Sequence, residues 1–249
     1  MHILMLHDRY LQRGGEDEST DAEVALLRSC GHAVDLLEMH NRQILERPLW
    51  QTALSTVWSQ AAYRLVRQRL HTGYYDLVHV QNFFPLLSPA VYYAAKAENT
   101  PVVQALRNYR LFCLNGLFYR DGEVCERCMG RPVPYPGIVY ACYRESRPAS
   151  LTVATMLSVH RALRTWHRKV DLFYTLTDFA RRKFIEGGLP PHRLTVKPNF
   201  VAPDPGLSTQ NRRYFLLVSR LSPEKGIMTV LDAWEKLGGR LPLKIVGSG

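Results

Sequence analysis

An α/β fold built on a mostly parallel sheet is what this 249-residue sequence predicts, and three observations carry the prediction. Short aliphatic or β-branched runs alternate with amphipathic segments over about the first 200 residues. Strands that recur between helices in this way fit a parallel sheet covered on both faces. A Pro/Gly-rich stretch at Pro198–Arg212 then interrupts the pattern, and a fresh strand–helix–strand unit follows it.

The elements can be taken in chain order. His2–Leu6 reads as a strand, Glu16–Ser29 as a helix and Ala33–Glu38 as a second strand. Trp50–His71 has helical periodicity, with Leu54, Val57, Trp58, Ala61 and Leu65 on one face. Leu77–Val80 is the next strand, and Ser88–Ala97 is a helix opened by Pro89 in its first turn. Pro101–Ala105 is extended. After an irregular stretch, Ala149–Arg168 reads as a helix, with Leu151, Met156, Val159, Leu163 and Trp166 set among basic residues. That face is either buried with a basic rim or a membrane-contacting surface. Leu172–Leu176 is extended, Thr177–Glu186 helical and Leu194–Val196 extended. Past the interruption, Tyr214–Ser219 and Leu243–Val246 are strands around a helix at Gly226–Leu237.

This organisation predicts a Rossmann-like first domain over 1–200, a linker at 201–212 and the start of a second Rossmann-like domain at 213–249. The last segment holds too little core for a complete domain, so a fragment or early-terminated product is expected.

The hydrophobic share is 46% and the net charge +10. No stretch approaches the roughly 18–20 apolar residues of a spanning helix. MHILMLHDRY lacks the form of a signal peptide, so a cytoplasmic location is expected. The positive charge is dispersed, without a helix-turn-helix, zinc-finger or RNP pattern, which argues against a nucleic-acid partner. It suits an anionic substrate or a membrane face better.

Three features could carry chemistry. Gly14-Gly15 follows the first strand and opens a helix, where small residues let a ligand approach the helix amides. The dinucleotide pattern GxGxxG is absent, which weakens a nicotinamide-cofactor reading. Ser219–Gly226, SRLSPEKG, places Arg220 and Lys225 around a turn directly after a strand, where open α/β sheets present ligands. A guanidinium fork and a mobile ammonium there suit a diphosphate. Cys113, Cys125, Cys128 and Cys142 form the third feature, with Cys30 left over. Cys125 and Cys128 have the CxxC spacing of half a zinc site. Structural zinc, free thiols and a redox-labile pair all remain open. The insert at about 112–143 shows little periodic core of its own, so a metal staple would explain its order.

These pieces together resemble the retaining glycosyltransferase family 4, of GT-B fold. The resemblance rests on HDRYLQRGGED (His7–Asp17), YDLVHVQNFFPLLSP (Tyr75–Pro89), NYRLFCLNGLFYRDGEVCERCMG (Asn108–Gly130), LTDFARRKFIEGGLP (Leu176–Pro190), VKPNFV (Val196–Val201) and SRLSPEKG. It implies an acceptor-side first domain and a donor-binding second domain. Arg220 and Lys225 would hold the diphosphate of a nucleotide-sugar donor, beside Gly14 and Gly15. Arg107 stands where the family usually has a histidine in the catalytic cleft. A carboxylate pair of the donor site would lie beyond Gly249. The implied reaction transfers a sugar, with retention, to a saccharide or lipid-linked acceptor in cell-surface glycan synthesis. No catalytic metal is implied, and contact with the inner face of the plasma membrane suits the acceptor. The Cys-rich insert is similar to that of one subgroup. The competing expectation is a non-catalytic binding or scaffold remnant of such an enzyme.

Overall fold

The structure, a computed structural model, describes residues 1–206 and 213–249. Residues 207–212, which make up the second half of the expected linker, lie outside the described residues. The described chain divides into two compact units. One comprises Met1–Phe118 with Glu126–Pro203, the other Tyr119–Cys125 with Asp204–Gly249.

The first unit is built on six parallel strands: β1 (His2–Arg9), β2 (Ala33–His40), β3 (Leu77–Asn82), β4 (Val102–Leu106), β7 (Leu172–Thr175) and β8 (Leu194–Val196). Their order is β2-β1-β3-β4-β7-β8. The chain leaves β1 toward β2 on one side and returns on the other side with β3. That reversal opens a crevice beyond the carboxyl ends of β1 and β3, the position where open α/β sheets bind ligands. Ile3–Asp8 is buried without interruption, as a strand covered on both faces must be.

Helices α1 (Gly15–Ser29), α2 (Leu49–Val57), α3 (Gln60–Thr72), α4 (Ala90–Ala97), α6 (Arg147–Ala162), α7 (Thr165–Lys169) and α8 (Asp178–Glu186) belong to the same unit. The main core gathers Leu4, Leu6, Val66, Val78, Val91, Tyr92, Met156, Leu157 and Phe173.

Two expected helices are each divided. The Trp50–His71 segment breaks at Trp58, which is extended, and Ser59 caps α3 by accepting from the Ala62 amide at 3.3 Å. Its buried positions are Thr56, Ser59, Ala62, Val66 and Leu70, whereas Leu54 and Trp58 are exposed. The Ala149–Arg168 segment breaks at Arg164, in the left-handed region. Immediately after it, buried Thr165 is held by Tyr93 Oη at 2.8 Å and His160 Nδ1 at 2.9 Å. The bond from Tyr93, 72 residues away in sequence, outweighs local helical continuity. Of the apolar face expected there, Met156 and Trp166 are buried, but Leu151, Val159 and Leu163 are exposed. The core side of α6 is instead Val153, Met156, Leu157 and His160. Among the described residues no helix is long and apolar enough to cross a membrane.

The insert carries a hairpin of β5 (Tyr119–Arg120) and β6 (Glu123–Val124) and a short helix, α5 (Tyr135–Val139). Its leading segment is anchored by apolar packing. Leu111, Phe112, Cys113, Leu114 and Phe118 all join the main core. The Phe112 and Phe184 rings lie 5.5 Å apart, and Tyr109 stacks on Phe118 at 4.6 Å.

The second unit contains β9 (Phe215–Val218) and β10 (Leu243–Val246), paired in parallel, with α9 (Ile227–Lys236) between them. Phe215 and Trp234 pack edge to face at 4.8 Å.

Candidate functional site

The crevice between β1 and β3 is lined by Tyr10, Glu16, Asn82, Phe84, Arg107 and Arg110 among others. Each comes from the end of a strand, from the segment just past one, or from the start of α1. It has room for only about 30 Å³.

Asp8 fixes one wall. Its carboxylate accepts from the Leu86 and Leu87 amides at 2.7 and 3.0 Å, and the Asn82 amide donates to the Asp8 carbonyl at 2.8 Å. Burial outweighs these bonds and pushes the Asp8 pKa up to about 7. Asp17 fixes the mouth of α1. One of its oxygens accepts from the Gly14 amide at 3.0 Å, and the other meets buried His7 Nε2 at 2.8 Å. Burial lowers the His7 pKa, opposed by Asp17. Arg9 is clamped by Asp21 and Glu38.

A polar cluster forms beneath the carboxyl ends of β3, β4, β7 and β8. Glu23, from α1, is 3% exposed. It accepts from Gln81 Nε2 at 2.9 Å, Tyr174 Oη at 3.1 Å, Lys197 Nζ at 3.0 Å and Arg107 at 3.4 Å. Burial alone would raise the Glu23 pKa, but His79, Lys197 and Gln81 outweigh it and hold the carboxyl below its usual value. His79, 3.7 Å from Glu23, is pushed by burial down to about 4, against the pull of the Glu23 charge. Arg107 also donates to Gln81 Oε1 at 3.1 Å and Asn199 Oδ1 at 2.8 Å. Its side chain is 5% exposed, so the fork of donors is oriented before any ligand arrives.

The residues singled out in the sequence fall in different places. Gly14 and Gly15 lie at the start of α1. A Cβ on either would meet nothing within 4 Å, and Gly14 is extended, so neither torsion nor packing calls for glycine there. Arg107 lies in the crevice. Arg220 and Lys225 belong to the second unit, both exposed, on the turn between β9 and α9. Arg220 pairs with Glu224 at 3.2 Å, and Gly226 takes a positive φ of 67° to start α9.

The four cysteines proposed for zinc do not fit a metal. Among the described residues no group of three or more His, Cys, Asp or Glu side chains is placed to hold an ion. The Cys113 thiol is turned to Asn115 Oδ1 at 2.9 Å and that of Cys128 to the Pro134 carbonyl at 3.7 Å. Cys125 and Cys142 are half-buried. The apolar anchors Phe112, Leu114 and Phe118 do the ordering that a metal staple was expected to do.

Sequence reasoning missed Glu23, Gln81, Tyr174, Lys197 and Asn199 as one cluster. The available signal was polar residues inside otherwise apolar strands, as in His79-Val80-Gln81-Asn82, since a buried strand carries such groups only when they find partners.

The family model described as a glycosyl transferase 4-like domain matches residues 14–199. Among solved structures, the chain is similar to Anabaena Alr3699/HepE in complex with UDP and glucose, at 16% identity and a TM-score of 0.50. That match covers 100% of this chain and 70% of the other. It is also similar to the apo form of the lipopolysaccharide outer core galactosyltransferase WaaB, at 12% identity and a TM-score of 0.53. There the coverage is 100% of this chain and 61% of the other. Both likenesses show a shared α/β fold of GT-B type with a parallel Rossmann-like sheet. No curated protein matches the sequence.

Proposed function

The chain belongs to the glycosyl transferase 4-like domain family, and from that premise we propose that it acts in transfer of a sugar from a nucleotide-sugar donor to a saccharide or lipid-linked acceptor. The observation that carries this reading is the crevice at the β1/β3 reversal, with Arg107 and Arg110 among the residues that line it. A cationic wall already in place costs no reorganisation when a polar ligand arrives. The name of the HepE structure, with UDP and glucose, supports a nucleotide-sugar as the donor class.

In this reading the first unit binds the acceptor, and Gly14-Gly15 lets the donor phosphates approach the mouth of α1, where open space lies over both glycines. Arg220 and Lys225 hold the diphosphate and stabilise its growing charge as the glycosidic bond breaks. Lys225 is exposed, and Glu224 engages only one terminal nitrogen of Arg220, so both cations retain donors for an anion. Arg107 replaces the imidazole expected in the cleft. A guanidinium donates hydrogen bonds but does not accept a proton near pH 7, so it serves as a contact to donor or acceptor hydroxyls. Retention at the anomeric carbon, cell-surface glycan synthesis and work at the inner face of the plasma membrane complete the proposal.

A second reading, a non-catalytic binding protein, is favoured by one observation: Arg107 is engaged with Glu23, Gln81 and Asn199. Calorimetry across nucleoside diphosphate sugars, followed by an NMR assay of the transferred anomer, separates the two. The transferase reading expects binding of at least one donor, weakened about ten-fold or more in Arg220→Ala/Lys225→Ala, and a product of retained configuration. Donor binding with no transfer to any acceptor selects the binding protein. Equal affinity in the double variant removes the diphosphate role.

A further inference from the structure

A second cavity lies within the first unit, bounded by the insert, the end of α6, α7 and the end of α8. It has room for about 290 Å³, compared with about 30 Å³ in the β1/β3 crevice, which puts it near the lower end of small-molecule sites. Phe112, Pro132 and Leu189 supply apolar wall, and Arg131, Arg161, Arg164 and His167 supply positive or ionisable groups. Not one carboxylate lines it.

The cations are arranged rather than scattered. Arg161, half-buried, donates to the Arg131 and Leu111 carbonyls at 2.5 and 2.8 Å, which fixes its plane and leaves further N–H groups. Burial pushes its pKa below the ordinary range, opposed by the Cys128 thiol. Arg131 donates to the Arg127 carbonyl at 2.8 Å. Arg164, with φ at 53°, stands at the left-handed break before α7. A left-handed conformation is unfavourable for a non-glycine residue, and here it places a third guanidinium on the cavity wall.

One wall of the cavity also carries a reporter. Trp166 lines it and is 4% exposed, and its indole N–H, closed off from solvent, has no hydrogen-bond partner among the described residues. Its resonance therefore senses rearrangement of the cavity wall rather than a direct bond to a ligand.

We propose that this cavity is a second ligand site, separate from the donor crevice, that binds a phosphoryl group carried by a partly apolar molecule. A phosphoryl group offers several acceptor oxygens to three guanidiniums, and its carrier packs on Phe112 and Leu189. A soluble phosphate ester and a phospholipid head group share this chemistry.

The test follows the indole N–H resonance of Trp166 in protein labelled with ¹⁵N, assigned through Trp166→Phe. Inorganic pyrophosphate and short-chain phosphatidate are titrated separately, against sodium chloride at matched ionic strength. A saturable shift with pyrophosphate supports a soluble phosphate ligand, and one with phosphatidate alone supports a lipid head group. Either response should weaken about ten-fold or more in Arg131→Gln/Arg164→Gln, whose two positions are exposed and whose fold is checked by circular dichroism. Should that variant not fold, Arg131→Lys and Arg164→Lys singly are expected to weaken binding while retaining charge. No saturable shift with either probe overturns the proposal, as does a shift equal in sodium chloride or unchanged in the arginine variants. Arg220→Ala/Lys225→Ala should leave the Trp166 response intact, so failure of the donor reading and failure of this one are told apart.

Discussion

At the scale of single residues, buried charge sets the clearest expectations. Asp8 is fully buried, and its pKa is raised to about 7 from an ordinary value of 3.8. The folded state therefore holds this proton more tightly than the unfolded chain. Its contribution to stability is complete below about pH 4 and is lost as pH rises through 7. Asp8→Asn should then gain stability relative to the parent on going from pH 5 to pH 8, by up to about 3 kcal/mol. Urea unfolding at the two pH values measures this, and an unchanged difference would refute it. Glu23 has the opposite sign, with a carboxyl held below its usual value. Glu23→Ala leaves Arg107 and Lys197 without their shared counter-charge and should cost about 3–5 kcal/mol. Glu23→Gln keeps an acceptor and should cost less, as thermal unfolding of the two variants would show. Neither residue was legible in the sequence, because their partners lie far away along the chain: Leu86 and Leu87 for Asp8, Gln81, Tyr174 and Lys197 for Glu23.

At the scale of elements, the strands were the most legible part. Leu194–Val196 and Leu243–Val246 fall where alternation places them. β1 runs on to Arg9, three residues past its apolar run, because His7 Nε2 meets Asp17, one Asp8 oxygen accepts from the Leu86 and Leu87 amides, and Arg9 is held by Asp21 with Glu38. Hydropathy alone ends such a strand early. The helix breaks at Trp58 and Arg164 were hidden for the same reason, as tertiary bonds to Ser59 and Thr165 decide them. In the insert, the spacing of the four cysteines points to a metal, while the order seen in the structure comes from the aromatic and aliphatic residues beside them. Its anchoring is tight at Gly187, where an added Cβ would lie 2.3 Å from the Phe112 ring although the backbone torsion is ordinary. Gly187→Ala should therefore cost about 1–3 kcal/mol by overpacking. Adding Phe112→Leu should recover part of that loss in a double-mutant cycle, and strict additivity would sink the explanation.

At the scale of the whole molecule, the two units differ in how much they bury. The fully buried positions all lie in the first unit, and α9 contributes none. Hydrogen exchange should then show slow amides in β1, β3, β4 and β7 and fast ones across β9, α9 and β10. Uniform protection through Gly249 would contradict this. The break in the pattern near Pro198 was legible as a composition shift, and the restart of strand and helix after it as a repeat of the same alternation. The parallel sheet followed from that alternation, but the strand order did not, since hydrophobic periodicity carries no information about neighbours.

Asp17 ties two events together, because one carboxylate both caps α1 through the Gly14 amide and grips His7 in β1. With Arg9 clamped on the other side by Asp21 and Glu38, residues 10–13 span two fixed posts. Sequence drift or a change of length between those posts leaves the strand and the helix where they are. For a protein engineer this makes Leu11 and Gln12, both exposed, the place to graft a reporter or an altered specificity loop at the rim of the crevice. The framework beneath would not need redesign.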